Sequence, residues 1–71
     1  MSDKIKLMIH ILIELGFSIP EIARDAGITP ATIGNGMRET STSGRNERKI
    51  EHTFKKFVDM RKMQIKQANE L

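Results

Sequence analysis

Between residues 5 and 15 every second position is apolar: Ile5, Leu7, Ile9, Ile11, Ile13 and Leu15. A period of two rich in isoleucine fits a half-buried strand. The intervening positions argue otherwise, because Met8 and Leu12 are apolar too, while Asp3, Lys6, His10 and Glu14 recur at spacings of three, four and four. These four form one narrow polar stripe on an otherwise apolar cylinder, and helix is the favoured reading. A helix apolar around most of its circumference needs cover on more than one side. Leu7 and Ile11 are therefore candidates for contact with a second chain.

Gly16 closes this element, and Ser18-Ile19-Pro20-Glu21 reads as a helix start: serine at the N-cap, proline in the first turn, glutamate placed to return the capping bond. Ile22, Ala23 and Ala26 supply an inward face, and Gly27 permits the left-handed backbone that stops a helix. Thr29-Pro30 repeats the start signal. A short helix, a glycine turn and a second short helix follow. Gly34 and Gly36 leave two readings of that second helix open. Either it stops near Gly34 and Asn35-Gly36 begins a turn, or the small residues let its backbone approach a partner closely.

The stretch ETSTSGRN is polar and without period, which predicts a loop over 39–45. From 46 to 69 the apolar residues Ile50, Phe54, Phe57, Val58 and Ile65 fall near helical spacing with no Gly or Pro between them. The expected architecture is a single all-α domain over 1–71, with four to five helices, a central helix-turn-helix at 18–38 and a long C-terminal helix. Phe54 and Val58 are assigned to the core. Phe57, Met60, Met63 and Ile65 make a second candidate dimer surface.

Size strengthens the dimer expectation. A core from 71 residues gives only about 3–5 kcal/mol without staples, and the chain has no cysteine from which to build a disulfide. Absence of cysteine also suits a reducing, cytoplasmic setting. The apolar start is shorter than the roughly 20 residues of a spanning helix and lacks a small-residue cleavage site, so no membrane association is expected.

Charge is unevenly distributed. The first forty residues carry a net −1 and the remainder a net +4, an asymmetry that permits a polyanionic partner. Known reactive constellations do not emerge. His10 and His52 are isolated, Glu21 and Asp25 read as a solvated stripe, no glycine-rich phosphate loop follows a strand, and Thr29 and Thr32 have no neighbouring base. No enzyme activity, metal, cofactor or small-molecule ligand is expected.

The run IPEIARDAGITPATIGNGMR, residues 19–38, resembles the helix-turn-helix of DNA-binding regulators, in particular phage repressors of the lambda and Cro type and the DNA-binding domains of site-specific recombinases. Matching positions have physical reasons: Ile22 fills the space between the helices, Ala23 allows a close crossing, Gly27 turns the chain, Ile28 plugs the angle and Ile33 anchors the second helix. Gly36 departs from the pattern, which usually places an apolar residue there. The resemblance implies a sequence-specific double-stranded DNA-binding transcriptional regulator, a small repressor of phage or mobile-element style acting as a homodimer. Its second helix would read base edges through Thr29, Pro30, Ala31, Thr32, Asn35 and Arg38. Phosphate contacts would come from Ser18 at a helix N-terminus and from Arg45, Arg48 and Lys49, whereas Lys55, Lys56, Arg61, Lys62 and Lys66 read as solvent-facing. The alternative is a helical protein-interaction module, an antitoxin, adaptor or inhibitor using the motif as scaffold, and the near-neutral first forty residues favour it. An RNA binder would lack stacking aromatics, since the chain holds three Phe and no Tyr or Trp.

Overall fold

The computed structural model describes residues 1–38 and 43–71. These form four helices and no strand, an all-α fold: α1 (Asp3–Glu14), α2 (Ile19–Ala26), α3 (Pro30–Arg38) and α4 (Gly44–Asn69). The ambiguous first segment is helical. Ile5, Ile9 and Leu12, at spacings of four and three, are buried, whereas the alternating partners Leu7, Ile11 and Ile13 face outward. Ser2 caps this helix, its hydroxyl accepting from the Ile5 N–H at 3.3 Å.

Both early helices end in the same way. At α1 the Phe17 N–H donates to the Leu12 carbonyl and Gly16 N–H to Ile13, with Gly16 at φ 99°. At α2 Ile28 N–H donates to Ala23 and Gly27 N–H to Arg24, with Gly27 at φ 73°. This crossed pair of bonds needs a left-handed residue after the last helical turn, which glycine adopts without a Cβ penalty. The turn between α2 and α3 is thereby fixed by Gly27.

The long helix starts earlier than the loop prediction allows. Ser43 is its N-cap, accepting from the Asn46 N–H at 3.2 Å, so Gly44 and Arg45 lie in the first turn rather than in a loop. The remainder of the predicted loop, residues 39–42, lies outside the described residues.

Helices α1 and α4 run in the same direction. Ser2 N–H donates to Glu47 (2.7 Å), Lys4 pairs with Glu51 (3.3 Å), and the Arg61 guanidinium donates to the Leu15 carbonyl (2.7 Å). Ile9, Leu12, Ile22, Ile33 and Ile50 are fully enclosed where the four helices meet. Phe57 belongs to this core, 8% exposed and stacked on Phe17 with ring centroids 4.4 Å apart. Its assignment to a dimer surface is therefore corrected: an aromatic ring one helical turn from Thr53, on the inward stripe of α4, closes the space beneath Phe17.

Two further side chains depart from expectation. Arg61 is half-buried, its guanidinium 4.9 Å from the Phe17 ring centre and bonded to both the Leu15 carbonyl and Gln64. Lys56 reaches Asp25 at 2.7 Å, and the fully buried Thr53 hydroxyl donates to the same carboxylate at 2.8 Å. Asp25 thus joins α2 to α4 and is not a free member of a solvated stripe.

Candidate nucleic-acid interface

Helix α3 begins at the second cap signal. Thr29 Oγ1 accepts from the Thr32 N–H (3.1 Å) and shares a hydrogen bond with Thr32 Oγ1 (2.8 Å). The helix passes through Gly34 and Gly36 to Arg38, which decides against the reading that ends it at Gly34. Burial explains the passage: Gly36 is enclosed beside Ile33, and Met37 packs against the core from one position further on. The apolar contact missing at Gly36 is supplied by Met37, at a spacing of four from Ile33 rather than three.

Anchoring α3 through Ile33, Gly36 and Met37 turns the opposite side outward. Ala31, Asn35 and Arg38 stand at i, i+4 and i+7, sharing one exposed face. Thr29 and Pro30 are exposed at its start, while Thr32 is half-buried at its edge. Within the face, Arg38 donates to Asn35 Oδ1 at 2.8 Å, an i, i+3 bond that orders both side chains. The Asn35 amide keeps its two donors and one lone pair on Oδ1. Chemically the face offers one amide, one guanidinium and small apolar groups, the set that suits base edges.

Ser18 is occupied. Glu21 returns its carboxylate to the Ser18 N–H (3.1 Å) and hydroxyl (3.0 Å), while the Ser18 oxygen accepts from the Glu21 N–H (3.3 Å). A carboxylate already seated at the helix N-terminus repels a phosphate there, which removes Ser18 from the phosphate-binding set. Arg45, Arg48 and Lys49 are exposed along the first turns of α4.

Of the candidate dimer residues, Leu7 (59% exposed), Ile11, Met60, Met63 and Ile65 face solvent. The last ten residues, 62–71, are exposed on every side of the chain. Among the described residues no group of three His, Cys, Asp or Glu is placed to hold a metal ion, and no helix is long and apolar enough to cross a membrane.

Asp25, Thr53 and Arg61 were not legible as joints. Thr53 lies three residues after Ile50 and Arg61 four after Phe57, so helical spacing carried the signal; polarity masked it. Hydrogen bonding to Lys56 holds the Asp25 carboxyl below the ordinary aspartate range, with burial opposing and Thr53 assisting.

Comparison with protein-family models, curated proteins and solved structures finds no match.

Proposed function

We propose that this chain is a sequence-specific double-stranded DNA-binding regulator, a small repressor of phage or mobile-element style that occludes its operator as a homodimer. The observation that carries the reading is the exposed face of α3, with Ala31, Asn35 and Arg38 aligned and the last two bonded to each other. Asn35 suits adenine, Arg38 suits guanine or a phosphate, and Ala31 and the Thr32 methyl suit thymine. Arg45, Arg48 and Lys49 supply sequence-independent attraction.

A two-fold dimer follows from the shortness of this face, because one such helix spans few base pairs and two half-sites stand about 34–36 Å apart along the duplex. Exposed Leu7 and Ile11 on α1 and Met60, Met63 and Ile65 on α4 are the surfaces available for it. The same apolar residues favour the second reading, a protein-interaction module whose partner covers them.

Selection from a randomised duplex pool at about physiological salt separates the two, because counterion competition suppresses non-specific binding. Enrichment of a palindrome with half-sites one helical turn apart is expected, and Asn35→Ala should relax the preference at particular base pairs. No enrichment, or an Asn35→Ala preference identical to the wild type, would sink the base-reading proposal and leave the protein-interaction module.

A further inference from the structure

The outward side of α4 is charged in one sense along most of its length. Arg45, Arg48, Lys55, Lys62 and Lys66 fall on one stripe, together with His52 and Asp59, and the successive spacings are three, four, three, four, three, four. At about 3.6 residues per turn this alternation keeps all seven on one side. Ile50, Thr53 and Phe57 define the opposite, buried side. Every member of the stripe is exposed.

A solvated lysine face is the ordinary fate of such a helix, but here two of the three acids of α4 lie off the stripe, and Glu70 follows only at the C-cap. Glu47 and Glu51 sit on the flank facing α1, engaged by the Ser2 N–H and by Lys4. Asp59 is left as the one carboxylate among five cations on the stripe. Of those cations Lys55 makes a long contact of 3.8 Å to Glu51, while Arg48, Lys62 and Lys66 have no ion pair among the described residues. Among the described residues, Asp59 is the one acid that shares their stripe. From Arg45 to Lys66 the stripe runs roughly 32 Å at ~1.5 Å per residue, close to one turn of a duplex, and its last two cations stand on the part of α4 that no other helix of the chain covers.

We propose that this stripe is a sequence-independent track for the phosphate backbone of double-stranded DNA. The inference rests on the DNA-binding reading above for its choice of polyanion. Lysine suits the role, being a mobile point charge that follows a backbone without demanding a fixed geometry. The track adds affinity and salt dependence while leaving base preference unchanged.

The test compares two full-length variants of equal net charge, Lys62→Gln/Lys66→Gln on the stripe and Lys4→Gln/Lys6→Gln on α1, by fluorescence anisotropy with a random-sequence duplex across a salt series. Neutralising two phosphate contacts at about 0.9 each should flatten the log affinity against log salt plot by about 1.8, so that the wild-type advantage shrinks about twelvefold between about 50 and 200 mM salt. The α1 variant should keep the wild-type slope. Helicity and melting temperature, measured alongside, should be unchanged in the stripe variant, because residues 62–71 cover no core. An unchanged slope for the stripe variant, as an acidic protein or anionic membrane partner would produce, overturns the proposal; so does equal flattening in both variants, which would assign the effect to net charge. Pool selection on the wild type judges the α3 reading separately: an operator selected without a slope change defeats the stripe alone, and a slope change without an operator defeats the base reading alone.

Discussion

Helices α2 and α3 are close to the same length, start with the same hydroxyl-then-proline signal and lie either side of Gly27, yet they are built for different ends. In α2 the third residue of the helix is Glu21, which closes a reciprocal cap on Ser18; in α3 the corresponding residue is Thr32, which bonds Thr29 and brings no charge. One helix start is neutralised from within, the other left without an acid in its first turn. Burial diverges likewise. α2 commits Ile22, Ala23 and Ala26 to the core and is tied to α4 through Asp25, whereas α3 commits Ile33 and Gly36 and has no charged tie among the described residues. The pair teaches that one helix is a brace and the other a presented surface, a division that near-identical start signals conceal.

Removing the brace should have the largest effect. Ile22→Ala deletes a fully enclosed side chain, costing about 2–5 kcal/mol, which is comparable with the whole stability of a domain this small. Chemical denaturation should find it largely unfolded. A variant that folds nearly as well as the wild type would show that α2 is dispensable and dissolve the contrast.

Next comes the tie to α4. Asp25→Ala leaves the buried Thr53 hydroxyl without its acceptor, at a cost of about 1–3 kcal/mol. Because the folded Asp25 carboxyl titrates below its ordinary value, its stabilisation is complete above the ordinary aspartate range, about pH 3.9, and is lost as pH falls through the lower folded value. Melting curves of wild type and variant should accordingly converge as the solution is acidified below about pH 4. Curves that stay parallel would assign Asp25 no electrostatic part.

The caps separate the two roles more finely. Ser18→Ala and Thr29→Ala should each lower stability by about 1 kcal/mol. With folded protein matched between samples, only Thr29→Ala should also weaken duplex binding. Equal losses of binding would place both helix starts at the interface.

Smallest in size, and opposite in sign, is Gly34→Ala. A Cβ there meets nothing within 4 Å, so the substitution should stabilise α3 by about 0.5–1 kcal/mol and raise the melting temperature. Retained DNA binding would mean that the glycine is a tolerated weakness. Lost binding in a more stable protein would mean that the backbone of α3 must approach its partner closely.

Much of this was legible from residue order because local rules carried it. Capping pairs at Ser18 and Thr29, the glycine stops and the inward stripe of α4 are short-range signals, and each element they predict is present. The alternation of α1 was resolved by Met8 and Leu12, which a strand would have faced to water. What escaped was long-range: Phe57 needed Phe17 as a neighbour, Arg61 needed the Leu15 carbonyl, and Thr53 needed Asp25, pairs separated by tens of residues. The exposed face of α3 could be placed because Ile33 fixes its rotation, but the Arg38 bond to Asn35 depends on rotamers that spacing alone does not specify.

The shared direction of α1 and α4 has a consequence for how the molecule comes into being. Their matched positions are far apart in the chain, Ser2 with Glu47, Lys4 with Glu51 and Leu15 with Arg61, separated by 45, 47 and 46 residues. Loop closure over such spans must be met before the contacts can repay it, which slows folding relative to a simple hairpin of helices. On the ribosome the apolar side of α1 emerges first and waits for its cover until α4 follows. The surface of α3, made in between, is held in place only by a core whose last members, Ile50 and Phe57, are synthesised after it. A nascent or truncated chain lacking the inward stripe of α4 leaves α2, the helix on which α3 packs, without its cover.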